Sequence, residues 1–165
     1  VDILTERGQQ YQLYAEEAAR LFNGTQGKTH SVFLTNWRKP IPVDGMMVSH
    51  ANQRVSGVVE IKCREMGLGV FRSRFNNEWL ITNQKLVEAQ RIAQGFSVPL
   101  YGFLYLIHDG TLLVQRLTDD DGQFFNVLRT EKTKTQATCN GGEAERVNAF
   151  INMTNARVIK NDATR

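Results

Sequence analysis

Apolar and polar positions change period several times along the chain, and each change marks a new element. From Gly8 to Phe22, Tyr11, Tyr14, Ala15, Ala18, Leu21 and Phe22 recur at three- and four-residue spacing. That spacing predicts a helix with one buried stripe, ended near Gly24. Ser31–Leu34 reads as a short strand, after which Pro40 and Pro42 break regular structure because neither can donate a backbone hydrogen bond. Val43–Val48 and Val55–Cys63 are two further strands, and the polar Ser49–Arg54 between them suits a hairpin connection. Helical period returns over Thr82–Gly95, with Thr82 or Asn83 as N-cap and Gly95 at the C-terminal end. Pro99–Ile107 is nearly all apolar, as a central strand covered on both faces would be. His108-Asp109-Gly110 turns it into a strand over Thr111–Leu117. Further on, 126–130 and 148–153 read as additional strands, and the polar 130–145 segment with Gly141-Gly142 as a long loop. Helix, three strands, helix, strand, strand predicts an α/β (α+β) sandwich around a central mixed sheet, with extra C-terminal strands.

Within Val55–Cys63 one detail conflicts with a plain buried strand. Side chains alternate faces, so Val59, Ile61 and Cys63 form a core face, while Val58, Glu60, Lys62 and Arg64 share the other. Glu60 and Lys62 lie roughly 7 Å apart on that face, two rises of about 3.3 Å. A half-solvated strand with a weak surface ion pair is the simple explanation. Asp44 offers another. If the hairpin is centred near Ala51, Asp44 lies opposite residue 58 and diagonal to Glu60, within side-chain reach. One divalent ion can bridge two such carboxylates, and oxygen ligands suit Mg²⁺. Lys62 can then orient or deprotonate a water, or stabilise charge developing on a phosphate. As a turn residue beside Gly45, Asp44 has an equally ordinary explanation. On the first helix, Glu16 has Arg20 four residues on and suits a solvated ion pair, whereas Glu17 sits at the edge of the apolar stripe and can lean over the sheet.

Composition narrows the classes without choosing among them. The 165 residues suit a single domain, 1–165, with a real core, and 41% hydrophobic with 22% charged residues is ordinary globular composition. A net charge of +3 is compatible with a polyanionic partner. Cys63 and Cys139 form no zinc or disulfide pattern, so a reducing, cytoplasmic setting is expected. No apolar run approaches the roughly 18 residues of a membrane span and no signal peptide is visible, so no membrane partner is expected. The chain opens at Val1, without an initiator Met, and contains no internal repeat.

Asp44 in "PVDGMMV" and Glu60 with Lys62 in "VVEIKCR" resemble the motif of the PD-(D/E)XK nuclease superfamily. That family's core runs helix, three strands, helix, strand, with an Asp at the start of the second strand and Glu/Asp-x-Lys in the third. The resemblance covers roughly residues 8–107 in element order. Here Val43 separates Pro42 from Asp44, a small departure from the pattern. Three residue types in two successive strands, in order, are far less expected by chance than Glu-x-Lys alone. The chain is also similar to small bacteriophage-encoded endonuclease-like proteins around "WLIT" and "VPLYGFLYLI". The resemblance implies a restriction-endonuclease-like core and an Mg²⁺- or Mn²⁺-dependent DNA nuclease, a phosphodiester hydrolase of phage or bacterial DNA metabolism. Asp44 and Glu60 would hold the metal with the backbone carbonyl of Ile61, Lys62 would support the attacking water, and Glu17 would be the acidic residue many members carry on the first helix.

Other residues are weighed beside these. Gln90 interrupts the apolar stripe of the second helix, where some relatives place a polar residue near the site; satisfaction by backbone or water is the plainer explanation. Lys85 in that helix's first turn can meet a phosphate or stay solvated, and Arg64, Arg72 and Arg74 can line a DNA groove. "VFRSRF" alternates aromatics and arginines as a half-buried strand would. His30, His50 and His108 are scattered, and Gly67–Gly69 lacks phosphate-loop spacing. Partners expected are DNA and a divalent metal, with a homodimer if both strands are cut. The rival is a non-catalytic DNA-binding or assembly protein that keeps the nuclease fold.

Overall fold

The computed structural model describes residues 6–26, 28–36, 39, 41–125, 127–134 and 145–160. Among these residues three α-helices, α1 (Glu6–Gln26), α2 (Leu68–Phe75) and α3 (Asn83–Gly95), are interspersed with nine strands. The strands are β1 (His30–Leu34), β2 (Gly45–Ser49), β3 (Val55–Arg64), β4 (Glu78–Thr82), β5 (Leu100–Leu106), β6 (Thr111–Arg116), β7 (Val127–Lys134), β8 (Glu145–Asn152) and β9 (Arg157–Lys160). A six-stranded sheet runs β1-β2-β3-β5-β6-β9, and a three-stranded sheet runs β4-β8-β7. Only β3 and β5 pair in parallel, because the long connection between them holds α2, β4 and α3; the other pairs are antiparallel. No helix among the described residues is long and apolar enough to cross a membrane.

Alternation along β3 and β5 feeds two cores. Val59, Ile61, Cys63, Phe103 and Tyr105 pack with Ala18, Ala19 and Phe22 of α1, the Phe22 and Phe103 rings lying 5.0 Å apart. Val58, Leu100, Leu104 and Leu106 face the other way, onto Leu86, Ala89 and Ala93 of α3 and onto Trp79, Ile81 and Ile151 of the smaller sheet. Glu60 shares that second face and is fully buried. On β5, the second face must admit Trp79. A Cβ at Gly102 would lie 2.4 Å from Trp79 Cζ3 and 3.0 Å from Leu117 Cδ1. Gly102→Ala should therefore destabilise the fold by about 1–3 kcal/mol in urea titration, and an unchanged midpoint would show that Trp79 can retreat.

Several sequence expectations change here. "VFRSRF" is the body of α2 rather than a strand, so Arg72 and Arg74 stand in the last turn of a helix. "WLIT" forms β4 and leaves the main sheet to pair with β8. β9, unanticipated, is the edge strand beside β6. Of the expected 130–145 loop, 130–134 continue β7, Glu145 begins β8, and 135–144, including Cys139, lie outside the described residues, as does Pro40. The β2–β3 register also differs. Met47 pairs with Gly57 but Val48 with Val55, so Ser56 is the extra residue of a β-bulge. Gly45 then pairs with Val59, and one further step sets Asp44 across from Glu60, not residue 58.

Candidate metal and phosphate site

Asp44 is held just ahead of β2 by its neighbours. Its N–H donates to the Val59 carbonyl at 3.2 Å, and its own carbonyl accepts the Thr35 N–H at 3.0 Å. The Thr35 hydroxyl donates to the Val43 carbonyl at 2.6 Å, and Asp44 Oδ2 accepts the Ile61 N–H at 2.8 Å. Because β2 begins at Gly45 opposite Val59, β3 beyond that pair has a ladder partner only on its β5 side. Ile61 turns its N–H, and with it its carbonyl, to the open edge where Asp44 sits.

Glu60 lies on the same side, 0% exposed. Its Oε1 is 3.2 Å from Lys62 Nζ and 3.0 Å from Lys85 Nζ. Lys85, from the first turn of α3, also stands 3.5 Å from Asp44 Oδ1 and so bridges the two carboxylates. Glu60 Oε2 is buried with no hydrogen-bond partner among the described residues. Burial pushes the Glu60 carboxyl above its ordinary value; the Lys62 ammonium opposes this, Asp44 adds to it, and Lys85 opposes it again. For Lys85, burial works downward, but the Glu60 and Asp44 carboxylates outweigh it and hold the ammonium above its ordinary range.

The raised Glu60 carboxyl has a consequence for stability. The folded chain holds that proton more tightly than the unfolded chain, so its contribution is complete below 4.5 and is lost as pH rises through the raised folded value. Glu60→Gln keeps the shape of the neutral form and does not titrate. In EDTA, denaturant titrations should show the variant gaining on wild type as pH climbs from 4.5 upward. Parallel stability profiles would mean that Glu60 ionises in the fold without cost.

The donor set fits a hard divalent ion. Glu60 supplies an oxygen with no protein partner, Asp44 a second carboxylate, and Ile61 a main-chain oxygen on the same edge. All are oxygens, which suits Mg²⁺ or Mn²⁺ over softer metals. Among the described residues no group of three or more His, Cys, Asp or Glu could hold a metal, and Mg²⁺ commonly takes one or two carboxylates and keeps several waters.

Glu60 lies buried behind Asp44, Ile61, Lys62 and Lys85, which border a cavity of about 490 Å³. Its charged lining is Lys39, Lys62, Arg64, Lys85 and Arg146 against Asp44, five cations to one anion. Arg64 also donates to the Leu80 carbonyl at 3.0 Å, and burial lowers its guanidinium from the ordinary value. Cys63 borders the cavity too, but burial pushes its thiol up to about 12, which leaves no thiolate for nucleophilic chemistry.

Not every expected residue converges here. Glu17 pairs with Arg20 at 2.8 Å and does not line the cavity, while Gly8, Tyr11, Gln12 and Ala15 of α1 do. At about 100° per residue, Glu17 lies about 200° round the helix from Ala15. Arg20 is thus taken by Glu17, and Glu16 accepts from Gln12 instead. Gln90 donates to the Gly122 carbonyl at 2.6 Å, tying α3 to the turn after β6 and away from the cavity. Arg72 and Arg74 do not line it either. Gln12, Lys39 and Arg146 were missed; a polar Gln12 between Gly8 and Ala15 on one helical face was the available signal for the first, and Lys39 and Arg146 had none.

No family model matches the sequence, and no curated protein matches it. Among solved structures it is similar to Hjc, a Holliday junction resolvase from the archaeal hyperthermophile Archaeoglobus fulgidus. The match has a TM-score of 0.50 at 14% identity and covers 83% of this chain and 89% of that one. At this identity the likeness is one of architecture: a central mixed sheet flanked by helices, the restriction-endonuclease-like fold.

Proposed function

We propose that this chain is a divalent-metal-dependent DNA nuclease, using Mg²⁺ or Mn²⁺ to hydrolyse phosphodiester bonds in bacterial or phage DNA metabolism. One observation supports the reading: Asp44 and Lys62 line a cationic cleft, and the buried Glu60 beside them, paired with Lys62 and Lys85, keeps an Oε2 that has no partner among the described residues. A surface ion pair would leave Glu60 in water, and a merely structural carboxylate would be fully hydrogen-bonded.

Asp44, Glu60 and the Ile61 carbonyl would hold the cation. Bound there, the cation supplies Lewis-acid polarisation of the phosphate and a more acidic water. Lys62, 3.2 Å from Glu60 and partly exposed, orients the attacking water and stabilises charge developing on the phosphate. Lys39, Arg64 and Arg146 receive the flanking phosphates, which makes a polyanion the natural substrate. A homodimer would place two such sites on opposite strands.

Wild type should cut plasmid, linear or four-way-junction DNA in Mg²⁺ or Mn²⁺ and not in EDTA. Tight DNA binding with no cleavage in either metal would favour the rival, a DNA-binding or assembly protein. Binding measured in Ca²⁺ should fall steeply with salt, each neutralised phosphate contributing about −0.9 to the log–log slope. Arg146→Ala should weaken binding to all sequences alike and reduce that slope by about 1. A slope equal to wild type's would take Arg146 off the DNA path.

A further inference from the structure

We propose, resting on the nuclease reading, that a second cavity beside the cleft receives one unstacked nucleobase, so that the preferred substrate is DNA with an unpaired nucleotide near the scissile phosphate. This cavity of about 470 Å³ lies between α2, β4 and the main sheet, and Arg64 and Leu80 line both it and the cleft. Arg64 donates to the Leu80 carbonyl at 3.0 Å, so these two residues form a wall common to both cavities, and a strand with its phosphate against the cleft would run beside the second cavity.

The lining matches the chemistry of a base. Phe75 supplies aromatic surface and is 46% exposed, while the ring of Phe150, also in the lining, carries the Arg129 guanidinium 4.0 Å from its centroid. Trp79, 1% exposed, has its Nε1–H buried without an acceptor among the described residues. A base carries ring nitrogens and carbonyl oxygens that can accept from an indole N–H, and a purely apolar ligand carries none. Asn76 adds an amide that can donate and accept. A flat π-surface with a hydrogen-bonding edge meets all of these, and extruded or single-stranded bases are held by such stacking and edge contacts. In intact duplex the base is paired and stacked, and unstacking is least costly where a nucleotide is already unpaired.

The test is DNA binding in Ca²⁺, followed by fluorescence anisotropy, so that cleavage plays no part. Three labelled duplexes are compared: fully paired, with one unpaired thymidine, and with an abasic residue in its place. Wild type should bind the unpaired-base duplex about tenfold more tightly than the other two. Phe75→Ala should lose that preference without weakening binding to the paired duplex, and Phe75→Trp should retain it. Since Phe75 lies at the surface, folding of both variants is checked by their melts. Equal affinity for the base and abasic duplexes, or an undiminished preference in Phe75→Ala, overturns the proposal. So does a Phe75→Ala variant that changes from dimer to monomer by light scattering with its base preference intact, since the cavity would then be a contact between copies. Failure of wild type to bind any of the duplexes would instead sink the nuclease reading itself.

Discussion

Lys62→Ala should lose cleavage by about 10²–10⁴-fold while still binding Mn²⁺, because an ammonium that acts on water or phosphate is not a metal ligand. Lys62 Nζ contacts Glu60 Oε1 but leaves Oε2 untouched, so its removal takes no donor from the cation. Glu60→Gln gives the complementary result. It removes the anionic charge beside Asp44, so cleavage and the Mn²⁺-induced rise in melting temperature should fall together. Single-turnover rates at saturating DNA, paired with Mn²⁺ titrations of the two variants, separate the roles. Undiminished cleavage by Lys62→Ala would remove Lys62 from the mechanism, and full Mn²⁺ binding by Glu60→Gln would remove Glu60 from the ligand set.

Lys85→Met should bind Mn²⁺ about tenfold more tightly than wild type, although it is less stable without metal. The Lys85 ammonium stands 3.0 Å from Glu60 and 3.5 Å from Asp44, so it and a divalent ion draw on the same carboxylates. Its ammonium is held above its ordinary range, which keeps that competition in force at neutral pH. Methionine fills similar volume without charge. In EDTA the two carboxylates then face each other with only Lys62 to offset them, and the melting temperature should fall. Added Mn²⁺ should raise the variant's midpoint by more than wild type's, since stabilisation by a ligand grows with its affinity for the folded state. Weaker or unchanged Mn²⁺ affinity would show that Lys85 does not compete and helps to assemble the site instead.

Much of the architecture is legible in local pattern. The Gly8–Phe22 stripe, the β-branched run of β3 and the apolar run of β5 each encode their burial within one element, because side-chain period is a local property of the backbone. The order Asp44, Glu60, Lys62 is legible for the same reason, and the alternation along β3 puts Glu60 opposite the α1 core. Period misleads where a segment is short. Leu68–Phe75 fits alternation as well as a helical turn, and distant contacts make it α2: Phe71 packs into the core and Asp109 Oδ2 accepts the Leu68 N–H at 2.6 Å.

The site depends on relations that no single element contains. The Ser56 bulge shifts the β2–β3 register by one residue; without it Asp44 would stand opposite Val59, whose side chain belongs to the α1 core. Glu17 and Gln12 are both polar residues of one helix, and which of them reaches the cleft is set by how α1 rolls on the sheet to bury Ala18, Ala19 and Phe22. Lys85 is 25 residues from Glu60 and 41 from Asp44 in the chain, yet it bridges them in the fold. Sequence alone determined the longer elements and the residues able to do chemistry, because those follow from local period and residue type. Tertiary packing alone decided which of those residues meet, because register, helix roll and the placement of α3 are set by burial of side chains distant in sequence.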